Sequence, residues 1–193
     1  MVSEVSHEFA ATIAGPDQDV DLFGAAMAIA AIGGHSPDKH RTASQLDLIA
    51  EAVREEAGEA LDPSELVNAI NHQLFVERGF HGNASEYGAP ENSYLDLVVE
   101  RRTGIPITLS LVYMEIAQRI GLRCDGIGFP GHFLVRCGEP VTPIYIDAFE
   151  QGARLDREEL LARLHSMPLG GATPESFLAA VTRRQLLQRM LNN

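Results

Sequence analysis

Cysteine is scarce, with only Cys124 and Cys137 in 193 residues, which excludes a fold stapled by a disulfide framework. The two could pair across neighbouring strands, but the expected state is two half-buried, reduced thiols. Basic residues are nearly missing from the front of the chain. Residues 1–100 carry 18 Asp and Glu against 4 Lys and Arg, a balance of −14, while residues 101–193 carry 9 against 11, or +2. Such a field repels phosphate backbones, so neither nucleic acid nor an anionic membrane is expected as a partner. Solvated helix faces account for most of the acid. Long hydrophobic runs are also lacking. Ala25 to Ile32 is the longest small-apolar stretch and is far too short to span a bilayer, and MVSEVSHEFA has none of the basic and apolar blocks of a signal peptide. The expected compartment is the cytoplasm. No internal repeat or low-complexity segment is found, and no second cluster of Cys, His or Asp has metal-ligand spacing beyond His35, Asp38 and His40 in a turn-like segment. The glycines of GFHGN and GIGFPG do not sit between a strand and a helix as a phosphate cradle would require. Neither a cofactor nor a metal is expected.

What the chain does have is 45% apolar residues, enough for a sizeable core. The front half reads as helices. Ala25 to Ile32 is apolar on nearly all sides and stops at Gly33 and Gly34; a second helix starts at Thr42 with Leu46, Ile49, Ala50 and Val53 as its stripe. A third has Asp62 as N-cap, Pro63 in its first turn and Leu66, Ile70 and Leu74 at helical spacing before Gly79. The run from Phe80 to Glu91 is rich in turn formers and reads as a surface loop. Asn92 or Ser93 then caps a short helix from Tyr94 to Arg102. Another starts at once with Pro106, carries Ile105, Leu109, Val112, Ile116 and Ile120 along one side, and closes at Gly121.

Three strands are expected next: Leu122 to Phe129, His132 to Cys137 and Ile144 to Phe149, the first two joined by a tight turn at Pro130 and Gly131. If the second and third form a hairpin with His132 opposite Asp147, one face carries Phe133, Val135 and Cys137 against Ile146, Ile144 and Thr142. That face packs on the preceding helix. The polar pair points the other way, and an imidazole oriented by a carboxylate suits a general base or a fixed hydrogen-bond donor. Asp156 then caps a helix from Arg157 to Leu164, and Thr173 with Pro174 opens a final helix to the chain end. The apolar spacing of RRQLLQRMLNN still runs when the chain stops, which suggests a longer native protein. The fold class is α+β: an N-terminal helical region over residues 1–91, a core over 92–170 with a central helix on a small, mainly antiparallel sheet, and a C-terminal helix over 171–193.

A helix ended by glycine and followed by strands carrying His and Asp in that order resembles the core of the transglutaminase-like superfamily, and within it the bacterial SirB family, first of the SirB proteins. The resemblance is carried by NSYLDLVVERRTGIPITLSLVYMEIAQRIGL, FPGHFLVR and IDAFEQG, with NHQLFVERGFHGN upstream. It implies a nucleophilic cysteine at the start of the central helix, where helix-end amides and the macrodipole favour a thiolate. Counting back from Gly121 by the family's spacing gives Pro106, which has no nucleophile and no N–H. His132 and Asp147 match the family's histidine and aspartate. In the SirB family the resemblance also implies tetratricopeptide-type repeats after this region, which this chain ends before.

Thr108 and Ser110 offer hydroxyls in the same helical turn, although helix interiors usually tie such groups back onto the preceding carbonyls. Cys137 falls on the strand face opposite His132, and Cys124 reads as a packed thiol. Two functions follow as expectations. One is a binding or regulatory module for a protein or peptide, with the thiol lost. The other is a divergent hydrolase or acyltransferase acting on amide, ester or peptide bonds, with His132 as base, Asp147 as orienter, and Thr108, Ser110 or a water as nucleophile.

Overall fold

The structure, a computed structural model, describes residues 2–59 and 62–193. Helix α1 (Val2–Thr12) lies against α2 (Leu22–Ile32), followed by α3 (Lys39–Ala57) and α4 (Pro63–Asn71). Asp62 caps α4 through the amides of Ser64 and Glu65 at 2.8 and 3.3 Å, with Pro63 in the first turn, an arrangement worth about 1 kcal/mol. The helix then widens into a π-type stretch over His72–Glu77 before Gly79. Helix α1 was not expected from the sequence, and α3 begins three residues before Thr42 because Asp38 caps it.

The segment after Gly79 is more than the surface loop its composition suggests. His81–Gly82 (β1) pairs in parallel with Thr103–Gly104 (β2), and the buried Asn83 donates to Asn92 Oδ1 at 3.1 Å. Asn92 does not cap the next helix as expected. Its amide donates to the carbonyls of Glu86 and Tyr87, pinning the loop, while α5 (Leu95–Arg101) starts from Tyr94 with no side-chain cap. Polar side chains here add to backbone pairing in ordering a turn-rich segment.

Helix α6 (Pro106–Ile120) is the centre of the molecule. Every residue from Pro106 to Tyr113 is buried, because α3 covers one side and the sheet the other. The single apolar stripe expected from the sequence is therefore only part of its buried surface. The sheet is antiparallel and four-stranded, ordered β3 (Cys124–Ile127), β4 (Leu134–Cys137), β5 (Ile144–Asp147) and β6 (Ala153–Leu155). The strands are shorter than expected and β6 is additional. Val135 pairs with Ile146 and Cys137 with Ile144, so the hairpin register is two residues from the expected one. A slip of two leaves every side chain on its face, whereas a slip of one would have inverted the sheet.

Val135, Cys137 and Ile146 accordingly join the main core with α6, which extends from Val20 in the chain to Met190. The opposite face is not left polar. Leu134 and Tyr145 pack there into a second core with Leu160 and Leu164 of α7 (Arg157–His165) and with Leu178. No continuous helix follows Pro174: a 3-10 turn over Pro174–Leu178 gives way to an extended crossing, where Ala180 bridges Ile127 and the Val181 amide donates to Gly126 O. Thr182 then caps α8 (Arg183–Leu191) in a reciprocal pair with Gln185. Asp17, far off in sequence, accepts from the amides of Arg183 and Arg184 and ties the start of α8 to the N-terminal helices. The overall class is α+β.

Candidate functional site

The site forms where the start of α6 meets the entrance to β4. His132 is not in the strand. It follows the Pro130–Gly131 turn, where Gly131 takes a φ of +69°, a left-handed conformation that costs glycine little. From that turn the ring reaches diagonally past the hairpin register, and Nε2 lies 2.8 Å from Asp147 Oδ2. Asp147 ends β5, and its other oxygen accepts from the amides of Phe149 and Glu150 at 3.0 and 3.2 Å. The carboxylate is thus clamped by its own turn before it meets the imidazole. Since Nε2–H donates to the carboxylate, Nδ1 is the free face of the ring, with no partner among the described residues.

Phe149 completes the seating of the imidazole edge to face, with centroids 6.1 Å apart and planes at 88°. Behind Phe149 there is room only for glycine: a Cβ on Gly82 would lie 2.5 Å from the ring. The short parallel pairing of β1 with β2 therefore sets the position of the aromatic wall. Tyr87 touches Phe149 from the loop side.

A cavity of about 220 Å³ opens beside this pair, lined by His132, Phe133, Gly131, Tyr87, Arg189, Asn193 and the α6 tip residues Ile105, Pro106 and Ile107. Thr108 and Ser110, one turn further, do not line it. The Thr108 hydroxyl is fully buried, donating to Asn92 O at 2.6 Å and accepting from the Ile105 amide at 3.2 Å. Ser110 is also buried, its hydroxyl directed at Phe133 O from 3.5 Å.

The thiols lie elsewhere. Cys124 and Cys137 are register partners on β3 and β4, both free. Cys137 is wholly buried, not half-buried as expected. A hydrogen bond with Cys137, followed by burial, pushes the Cys124 thiol far above its ordinary range. Tyr113 reaches the same region of α6, where burial pushes its hydroxyl well up and leaves it without a hydrogen-bond partner. Cys124 and Tyr113 therefore stay protonated at neutral pH. Among the described residues, no group of three or more His, Cys, Asp or Glu could hold a metal ion, and no helix is long and apolar enough to cross a membrane.

Arg189, Phe149 and Tyr87 are site residues that sequence reading missed. Arg189 Nη2 donates to the carbonyls of Phe129 and His132 at 3.3 and 3.1 Å, from a helix 57 residues downstream of His132. No local pattern in RRQLLQRMLNN marks that contact. Arg101 and Arg102, by contrast, do not line the cavity: Arg102 donates to Arg78 O, and the neighbouring Glu100 pairs with Arg41.

Comparison with known proteins gives a coherent result. The chain is 42% identical over 130 residues to a UPF0162 protein of Xylella fastidiosa, covering 65% of this chain and 46% of that one. It is 32% identical over 182 residues to a UPF0162 protein of Pseudomonas aeruginosa, covering 89% and 63%. F-box only protein 21 of Homo sapiens is 36% identical over 138 residues, 67% of this chain but 21% of the human protein. The chain spans about half the length of the bacterial relatives. No solved structure matches. The family model for the transglutaminase-like superfamily covers residues 40–192, from the first turn of α3 through the end of α8. The helix, sheet and His–Asp pair described above all fall inside that span, and the chain belongs to the transglutaminase-like superfamily.

Proposed function

We propose that this domain is a pseudoenzyme of the SirB type, a transglutaminase-like cleft that binds a protein or peptide without cleaving it. The observation that carries the reading is Pro106. It lines the cavity with His132 at the helix position where the family resemblance implies a cysteine, and it brings neither a thiol nor an amide hydrogen. Thr108 and Ser110 support the same reading, since both hydroxyls are buried and directed at backbone carbonyls. The Cys124 thiol is pushed far up by its bond with Cys137 and by burial, whereas a nucleophile would have to be ionised, and Cys137 is buried on the sheet away from the cavity. The domain also matches proteins of unlike total length, as expected of a module joined to different neighbours. We place it in the cytoplasm, where paired thiols stay reduced.

One observation favours a second reading. The free Nδ1 of an oriented imidazole beside a cavity of about 220 Å³ is the arrangement a general base needs to activate water for hydrolysis of an amide or ester. The experiment that separates the two is Pro106→Cys. On the binding reading the native protein leaves labelled peptide amides intact, and the variant gains one iodoacetamide-reactive thiol that labels faster than Cys124 or Cys137 and slows on adding His132→Ala. Turnover by the native protein that is lost in His132→Ala would overturn the binding reading.

A further inference from the structure

Two thiols lie on the sheet face that packs on α6, and the candidate site uses neither. Cys124 and Cys137 are register partners on β3 and β4, and the Gly138 amide donates to Arg123 O at 2.9 Å, joining the residues just outside the pair. That bond makes them a non-hydrogen-bonded pair of the antiparallel ladder, in which Cα atoms approach to about 4.5 Å and both side chains leave the same face. A disulfide needs Cα atoms roughly 4.4 to 6.8 Å apart. The ladder itself therefore holds the two residues within bridging distance, and a hydrogen bond already links the thiols in the reduced state.

The thiols differ in access. Cys137 is fully buried, whereas Cys124 is partly exposed and lines a cavity of about 360 Å³ with Met114, Gly121, Leu122, Arg123 and Asp125, where the end of α6 turns into β3. A small oxidant entering there meets Cys124 first, with Cys137 behind it. That order separates an attacking cysteine from a resolving one. A bond between them would close a ring over residues 124–137, which contains the Pro130 and Gly131 turn and His132. A covalent link at the open end of this hairpin restrains the end that presents the imidazole.

We propose that Cys124 and Cys137 form a reversible disulfide on exposure to hydrogen peroxide, clamping the β3 to β4 hairpin that leads through His132. The bond forms alike whether the cleft binds or hydrolyses its ligand. In the first step the Cys124 sulfur gives up its proton and attacks one peroxide oxygen; the O–O bond breaks, a sulfenic acid forms, and the departing hydroxide takes the proton and leaves as water. The Cys137 sulfur then displaces the sulfenic hydroxyl, which leaves as a second water with the Cys137 proton. Two thiols are oxidised to one disulfide, and one peroxide is reduced to two waters. An added thiol reverses the bond by exchange. Because Cys124 is held protonated at neutral pH, the first step is slow, and the pair responds to sustained oxidation.

The test treats the reduced whole chain with hydrogen peroxide, blocks remaining thiols with iodoacetamide and digests without reductant. Trypsin cuts after Arg123, Arg136 and Arg154, so closure should join peptides 124–136 and 137–154 in monomeric protein, and dithiothreitol should separate them. Cys137→Ser should stop the reaction at a Cys124 sulfenic acid that dimedone labels, whereas Cys124→Ser should leave the buried Cys137 unmodified over the same time. Amide exchange across residues 124–137 should slow several-fold in the oxidised wild type and recover on reduction. Peptides joined only between two chains, or Cys124 carried on to sulfinic acid with none joined, would overturn the proposal. So would thiols that stay free in the folded chain and oxidise only in urea. Joined peptides with unchanged exchange around His132 would overturn the clamp.

Discussion

Two histidines in this molecule meet carboxylates at nearly the same distance, and they have little else in common. His132 is 2.8 Å from Asp147, and His72 is 2.9 Å from Glu56. The side chains of the first pair are 25% and 9% exposed, those of the second 46% and 34%. Asp147 is fixed by two amides of its own turn, and His132 is backed by an aromatic ring. Glu56 sits on a helix surface and shares its oxygens with the Gln73 amide as well as His72, while Glu77 competes for the other ring nitrogen from 3.6 Å. A contact distance alone therefore does not identify a site. What distinguishes the site is that the geometry is over-determined from outside the pair.

The largest break in the comparison should come from removing each carboxylate in turn. Asp147→Ala strands two turn amides and the imidazole together, so a loss of about 3 kcal/mol is expected in urea unfolding. Glu56→Ala should cost less than about 1 kcal/mol, as for other exposed pairs. Asp147→Asn separates the two functions of the group, because an amide oxygen can still accept from the Phe149 and Glu150 amides. It should recover most of the stability and none of the charge held against His132. Comparable losses from Asp147→Ala and Glu56→Ala would show that the turn contributes nothing to the site's rigidity.

The aromatic backing can be tested from behind. A methyl group on Gly82 would collide with Phe149, whose ring supplies the three nearest atoms, so Gly82→Ala should displace that ring from its place against His132 and cost about 1 to 3 kcal/mol. Gly88, in the loop that also carries Tyr87, is the control: nothing lies within 4 Å of a Cβ there, and Gly88→Ala should stay within about 0.5 kcal/mol of wild type. The prediction fails if circular-dichroism melts of the two variants coincide.

Local signals made much of this readable in advance. Asp62 with Pro63, Asp156, and Gly121 each mark a helix end through a short-range bond or dihedral preference, and each end lies where that chemistry puts it. The alternation along β4 and β5 assigned Val135, Cys137 and Ile146 to the correct face for the same reason. Long-range matters were not readable. The two-residue register shift depends on how the chain crosses from Gly138 to Pro143, and the interruption after Leu178 arises because Ala180 and Val181 are recruited by β3 from more than 50 residues away. Arg189 entered the site from a helix whose own pattern is merely amphipathic. The catalytic-looking pair was visible because residues 132 and 147 are near in sequence; the cavity around it was not, because it is assembled from the α6 tip, α8 and the loop that carries Tyr87.

The smallest expected effect concerns the surface pair alone. A hydrogen bond donated to the Glu56 carboxylate raises the His72 proton affinity above its ordinary value of 6.5, opposed by a little desolvation. A group whose folded pKa is raised contributes stability that is complete below its unfolded value and lost as pH rises through the folded one. For His72 that loss begins near 6.5 and finishes above it. Glu56 has the reverse sign: burial works to raise it, the bonds from Gln73 and His72 prevail, and its net lowering below 4.5 gives stability that disappears as pH falls. The pair therefore helps most between about 4.5 and 6.5. Thermal melts from pH 6 to 8 should show a shallower decline in His72→Gln than in wild type, and about 1 M salt should remove most of that difference because the charges are exposed. An unchanged slope would mean that the second histidine, despite its distance, is not an ion pair in solution.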